Sequence, residues 1–350
     1  MNTRPTIKDI AAEVGVTPST VSYVLNGNTK HRISEQRRQD ILDAAKRLNY
    51  IPNEAARSLR YNTSNSISVA LEKPVTQTRF SSILQGIRNH LSREGYQLVL
   101  FDFSIGDAEY PAYLESVLRR RTDGIIYISS TGEDPDPRWR SAIISNSLPF
   151  VACDCCPPEE SLASVSFDYE RGAYEIACRL YGEGAKRILF WRPDVHTLQE
   201  HYREKALKKA ASLYPGTSLE IHLLPYREID GSVPEERRNV IERICRQHLM
   251  QEILPHILKY EPGDAIVCSQ GVMAKNLCSV LSTKNCGLTV ACLSDASVPI
   301  LANPRVLTSR PRYLFGGDVC AKLLLQQIRG ESIKDRRIQI EPEPPSYVAL

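Results

Sequence analysis

A small all-α helix-turn-helix headpiece joined to two α/β lobes, each a doubly wound parallel sheet covered by helices on both faces, is the fold class that this sequence predicts. Three observations carry it. Ile7, Ile10, Ala11 and Val14 fall at the i, i+3, i+4, i+7 spacing of one buried helical stripe, immediately before Gly15 and Thr17-Pro18. From Ile67 onward short apolar strands alternate with helices. The basic excess lies wholly at the N-terminus: residues 1–60 hold ten Lys/Arg against six Asp/Glu, a charge of +4, so the rest of the 350-residue chain carries −1 of the net +3.

Taken in order, Thr6 followed by Asp9 reads as a capping box that starts the first helix. Gly15 ends it, because glycine alone takes up the open backbone angles of a C-cap without steric cost. Thr17 then caps and Pro18 opens a second helix that buries Val21, Val24 and Leu25. Its other face, Pro18, Ser19, Ser22, Tyr23 and Asn26, is small and hydrogen-bonding, as base reading in a major groove requires. By periodicity alone the pair is equally a plain helical hairpin. After the polar, basic loop 28–32, which holds His31, Ser34 caps a third helix expected to run to about Asn49. It turns Ile41, Ala44, Ala45 and Leu48 inward and leaves Arg37, Arg38, Lys46 and Arg47 to phosphate or solvent. Pro52 breaks that helix and Asn53 caps another of about two turns, too short to stand alone and so expected to order on a partner.

The core follows as strands at 67–71, 98–101, 124–128 and 150–153, then a second series at 163–167, 187–191, 220–224, 265–268 and 289–293, with helices in the gaps. The expected division is a headpiece at 1–50, a hinge helix and linker at 51–66, and a two-lobed core at 67–345. Within it the N-lobe takes about 67–160 plus 291–320, and the C-lobe about 161–290 plus 321–345. Ligands of such sheets sit at the carboxyl ends of the strands, here the cleft between lobes. The charged stretch 228–260 reads as a solvated helix of the second lobe.

Several classes are set aside. No apolar run reaches the roughly 18 residues of a membrane span and no signal-peptide core precedes the headpiece, so a cytoplasmic protein without a membrane partner is expected. The ten cysteines sit mostly in apolar runs and read as reduced core residues, with Cys153-Asp154-Cys155-Cys156 the one cluster open to a redox or metal reading. No Walker loop, GxGxxG, GxSxG or HExxH occurs, so no enzymatic activity, cofactor or metal is expected.

Over essentially its full length the chain resembles the LacI/GalR family of bacterial transcription regulators. Thr6, Ile7, Asp9, Ile10, Ala11, Gly15, Val16, Thr20, Val21, Ser22, Leu25 and Asn26 match its N-terminal signature, and Tyr50, Pro52, Asn53, Ala56 and Leu59 its hinge-helix signature. The resemblance implies a homodimer on a near-palindromic double-stranded DNA operator, with a small-molecule effector held between lobes similar to periplasmic sugar-binding proteins. It also implies paired hinge helices in the minor groove, with Leu59 as the wedge that kinks the duplex. The DNA contacts expected are then Thr6, Thr17, Pro18, Ser19, Thr20, Ser22, Tyr23, Asn26, His31, Tyr50, Asn53, Ala56 and Leu59. Tyr23 stands where the family usually has arginine, and the run Ser22–Gly27 looks more like the fructose-repressor (catabolite repressor/activator) subgroup. Tyrosine cannot fork onto guanine, so a phosphate or thymine-methyl contact is expected there.

For the effector, Arg203 falls where the family places a ligand-gripping arginine. Ser269-Gln270-Gly271 and Leu293-Ser294-Asp295 stand where the family has Ala-Asn-Asp and Phe-Asp-Asp, so one common sugar-binding aspartate is Ser294. Loss of carboxylates with retention of basic residues near strand ends (Lys73, Arg79, Arg192, Arg203, Arg312) points to an anion such as a sugar phosphate. The expected effector contacts are Lys73, Arg79, Phe80, Arg203, Gln270, Ser294 and Asp295. A sugar receptor without DNA function would explain the lobes, but neither the +4 headpiece nor the 52–59 hinge. Tetramerisation heptads are absent after Pro345, which leaves a dimer.

Overall fold

The structure, a computed structural model, describes residues 5–25, 32–50, 63–71, 78–101, 109–225, 234–282, 287–294 and 306–348. The chain divides into two compact units, Met1–Ser64 and Asn65–Leu350. In the first, helices α1 (Ile7–Val14), α2 (Pro18–Leu25) and α3 (Glu35–Arg47) enclose a core of Ile10, Ala11, Val21, Val24, Ile41, Ala44 and Ala45. Asp9 accepts from both the Thr6 backbone N–H and the Thr6 hydroxyl at 2.7 Å, and Gly15 takes φ +68 with its N–H on the Ala11 carbonyl. The third helix stops short of the predicted Asn49 because Asn49 itself takes φ +50, which carries the chain out of the helix. The predicted hinge helix falls at 51–62, outside the described residues.

The second unit holds two six-stranded sheets. The first runs β11-β5-β4-β3-β1-β2, built from β1 (Ser66–Leu71), β2 (Gln97–Phe101), β3 (Gly124–Ile128), β4 (Phe150–Cys153), β5 (Ala163–Phe167) and β11 (Arg337–Ile340), all parallel. Alternate residues of its strands supply two cores. Ile67, Val69, Ile126 and Val151 pack under α4 (Thr78–Arg93) and α12 (Tyr313–Ile328); Ala70, Ile125 and Ala152 pack under α5 (Ala112–Leu118) and α6 (Pro137–Ser145). The second sheet runs β12-β10-β9-β8-β6-β7, from β6 (Arg187–Pro193), β7 (Ser218–Leu224), β8 (Ala265–Cys268), β9 (Thr289–Cys292), β10 (Val306–Thr308) and an antiparallel β12 (Ser346–Tyr347). One face carries α7 (Tyr169–Gly182) and α8 (Leu198–Ala211). The other carries α9 (Pro234–His248), a π-turn (Leu249–Ile253), α10 (Leu254–Ile257) and α11 (Gly271–Leu281).

This topology corrects the expected lobe limits. β5 pairs with β4 and β11 and so completes the first sheet instead of opening the second, while β9 and β10 stay in the second sheet and α12 packs on the first. Burial and alternation identify a strand but not the sheet it joins; that is settled by which edge satisfies its backbone groups. The chain therefore crosses between lobes three times, after β5, after β10 and after β11. The crossings are tied together by Asp168 N–H to Ile340 O (3.0 Å), Glu343 N–H to Arg310 O (2.9 Å) and Ser309 Oγ to Glu343 O (2.9 Å). Among the described residues no helix is long and apolar enough to cross a membrane, and the nine described cysteines are free thiols.

Candidate functional site

In the headpiece, Thr17 caps α2 through its hydroxyl, which accepts from Thr20 N–H at 3.2 Å and pairs with the Thr20 hydroxyl at 2.9 Å. That cap leaves Thr17, Pro18 and Ser19 exposed at the helix start, with Thr20 and Tyr23 half-buried and Thr6 exposed on α1. Ser22 corrects the expectation. It is 7 % exposed, flanked by the inward Val21 and close to Val24, so it belongs to the packed face and not to the reading face. Tyr50 is half-buried against the headpiece core. Arg47 is committed to Glu13 at 2.7 Å, and Arg38 lies 3.9 Å from Glu35, while Arg37 and Lys46 remain exposed. Asn26, His31, Asn53, Ala56 and Leu59 lie outside the described residues.

In the core, the carboxyl ends of both sheets meet around two buried arginines. Arg79, in the first turn of α4, donates through Nη2 to the carbonyls of Ser129 (3.1 Å) and Ser130 (2.9 Å) just beyond β3, and its Nη1 lies 3.4 Å from Asp154. Asp154 follows β4 at φ +62, a left-handed conformation that aspartate tolerates better than most residues, and accepts from the Tyr169 hydroxyl at 2.9 and 3.1 Å. On the second lobe, Arg203 of α8 donates to Glu200 (2.8 Å), the Ser269 hydroxyl after β8 (3.0 Å) and the Leu293 carbonyl after β9 (3.1 Å). Its guanidinium carbon stands 5.0 Å from the Tyr169 ring centroid. Gln199 spans the lobes: with its amide turned to satisfy both atoms, it donates to Thr131 O at 3.0 Å and accepts from Gly132 N–H at 3.3 Å.

Burial disfavours charge on both arginines, yet Asp154 beside Arg79 and Glu200 beside Arg203, each together with Tyr169 and Tyr313, outweigh it and raise both pKa values. Burial likewise pushes Asp154 up, with Arg79 pulling the other way. The Nε atoms of Arg79 and Arg203 and one Glu200 oxygen are buried without a hydrogen-bond partner among the described residues. Arg203, Tyr169, Leu293 and Ser309 line a small depression at the crossings.

Two readings of the cleft are thereby corrected. Carboxylates are not missing from it, since Asp154 and Glu200 match the two arginines. Phe80 is a core side chain, 1 % exposed beside Ile83 and Ile87, which touches the site only by carrying the Arg79 guanidinium 4.4 Å above its ring. Arg192 is paired with Glu204 at 2.8 Å, and Arg312 lies over Phe315. Gln270 and Ser294 each follow a residue that holds Arg203, and both are half-buried. Lys73 and Asp295 lie outside the described residues. Tyr169 and Glu200 were not singled out from sequence; Asp154 was noted only within the Cys153–Cys156 cluster and Ser269 only within the run Ser269-Gln270-Gly271. The available signals were the carboxyl-end rule for Asp154, Tyr169 and Ser269, and i, i+3 spacing from Arg203 for Glu200.

The comparisons with known proteins bear on both units. The profile of bacterial regulatory proteins of the lacI family matches residues 6–53, and that of periplasmic binding proteins and the sugar binding domain of the LacI family matches residues 64–341. The chain belongs to the lacI family. The transcriptional repressor PurR of Mannheimia succiniciproducens is 27 % identical over 348 residues, covering 97 % of this chain and 96 % of that protein. Catabolite control protein A of Staphylococcus xylosus is 27 % identical over 185 residues, 53 % of this chain and 54 % of that protein. The lac repressor dimer bound to operator and the anti-inducer ONPF shares the fold at TM-score 0.73 and 18 % identity, covering 99 % of this chain and 98 % of that one. As a lacI-family member this protein is a DNA-binding transcriptional regulator: a helix-turn-helix headpiece reads DNA and a two-lobed core takes a small effector.

Proposed function

We propose that the chain represses transcription in the cytoplasm as a homodimer, each headpiece laying the exposed start of α2 in a major groove of a near-palindromic operator. Thr17, Pro18, Ser19, Thr20 and Tyr23 face the base edges and adjacent phosphates, and Leu59 is the minor-groove wedge of the hinge at 51–66. Tyr23 sets an operator preference nearer the fructose-repressor subgroup. We assign no catalytic role to the chain.

The effector is a sugar phosphate or related small anion held between the lobes. The observation that carries this reading is the pair of buried arginines, Arg79 and Arg203, each with an unpartnered Nε, set among the carboxylates of Asp154 and Glu200. Guanidinium forks suit a phosphate, and carboxylates accept from sugar hydroxyls. The charge match between arginines and carboxylates favours a second reading, a neutral polyhydroxyl ligand that leaves both ion pairs intact. Calorimetry on the full chain with a panel of sugars and their phosphates separates the two. Sugar phosphates are expected to bind, and Arg203→Lys, which keeps the charge but loses the fork, to weaken them at least about tenfold. Tight binding of neutral sugars and none of their phosphates would overturn the anionic reading.

A further inference from the structure

β7 is the edge strand of the second sheet. The alternation of a strand puts Glu220 and His222 on one face of it. His256 comes to the same place from α10, which follows the π-turn Leu249–Ile253. A π-turn takes up an extra residue per hydrogen bond and so re-aims the helix that follows, and such turns recur at functional sites. His256 Nε2 lies 2.5 Å from Glu220 Oε2, and His222 Nε2 lies 4.0 Å from the same oxygen. The two imidazole centroids are 4.7 Å apart, and one ligand atom from each of the three residues lies within 4.8 Å of the others.

Chemistry and access agree with this geometry. A tetrahedral zinc-type ion with bonds of 2.0–2.1 Å holds its ligand atoms about 3.3 Å apart. The two measured separations bracket that value, so small side-chain rotations close the set. All three side chains are partly exposed, between 27 and 37 %, which leaves an entry path from solvent. Tyr260, one turn beyond His256, sets its ring 5.7 Å from that imidazole. Its buried hydroxyl adjoins the Glu220 carboxylate.

We propose that Glu220, His222 and His256 form a binding site for a zinc-class divalent transition ion, with a fourth position open to water and the Tyr260 hydroxyl supporting the ligating carboxylate. Two imidazoles and one carboxylate suit borderline ions such as Zn²⁺, Co²⁺ and Ni²⁺; Mg²⁺ and Ca²⁺ prefer sets made wholly of oxygen. Bound there, the ion clamps the exposed sheet edge to α10. The ligands are spread over 36 positions in a strand and a helix, which is why no zinc spacing is visible in the sequence.

The test is titration of the full, reduced protein with Co²⁺, because thiolate ligation by the cysteines gives intense near-ultraviolet charge-transfer bands that imidazole and carboxylate ligation does not. One equivalent is expected to produce visible ligand-field bands without thiolate bands, to be displaced by Zn²⁺, and to raise the melting temperature. His256→Gln and His222→Gln should each weaken binding at least about 100-fold while leaving the metal-free melt close to that of the parent. The proposal is overturned by a parent spectrum without such bands, by one dominated by thiolate transitions, or by folded variants that bind Co²⁺ as the parent does. The parent spectrum decides the matter even where a variant fails to fold.

Discussion

Asp264 shows how one side chain sets a local framework. It is 3 % exposed and accepts from the backbone N–H groups of Lys186 (3.2 Å), Arg187 (2.9 Å) and Glu261 (3.0 Å) and from the Arg187 guanidinium (2.8 Å), so it ties the starts of β6 and β8 together. Burial pushes its pKa up, but the backbone donors and the guanidinium outweigh burial and hold it below the ordinary carboxylate value. Asp264→Asn should therefore cost about 1–3 kcal/mol in urea unfolding at neutral pH, because the amide nitrogen cannot accept. Since the folded pKa is depressed, the ionised carboxylate's contribution is complete above the unfolded value of about 3.9 and is lost as pH falls through the folded one. The gap between parent and variant should thus be level above about pH 5 and shrink in stronger acid; a gap that stays level there would show that the charge is not responsible. Single residues of the effector cleft were only partly legible. Arg203 was found through a resemblance, whereas Asp154 was missed because it meets Arg79 only after strands distant in sequence are folded into one sheet, and Glu200 because a carboxylate three residues from an arginine on a helix is more often a solvated pair. Ser22 was misplaced for a related reason: a serine one residue from Val21 lies at the margin of the buried arc, and composition does not show which side of that margin it takes.

At the scale of elements, the alternation of strand and helix was readable because each period buries its own apolar stripe. β10 and the two-residue β12 were not, since they carry too few positions to set a period, and β11 was not because only its last residue, Ile340, is buried. The α4–α12 contact was also invisible in the pattern, for it rests on glycines. A Cβ at Gly86 would stand 2.0 Å from the Leu314 carbonyl oxygen, and one at Gly317 would stand 2.1 Å from that of Ile83, both backbone atoms of the facing helix. In an exposed helix, glycine to alanine gains about 1 kcal/mol of propensity. Here the overlap with facing backbone outweighs that gain, so Gly317→Ala should destabilise by about 1–3 kcal/mol and lower the urea midpoint. An unchanged or raised midpoint would mean that the two helices are not packed this closely.

On the scale of the whole molecule, headpiece and core are separate compact units, so operator binding and effector binding can be damaged independently while their coupling cannot. Arg203 lies within the core, whereas Leu59 belongs to the expected hinge. Arg203→Lys should accordingly leave operator affinity without effector unchanged and shrink the shift that effector produces. Coupling between two sites is reciprocal, so the shift that operator produces in effector affinity must shrink by the same factor once both states are saturated. Leu59→Ala should do the opposite, weakening the operator complex roughly tenfold or more through the lost wedge while the isolated protein binds effector as before. Gel shifts over a range of salt concentrations supply the control. The basic headpiece surface is untouched in both variants, so the fall of log affinity with log salt, about 0.9 per neutralised phosphate, should run parallel to that of the parent. Equal losses of effector and operator binding in Leu59→Ala, or a flattened salt slope in Arg203→Lys, would refute the division of labour between the hinge and the cleft.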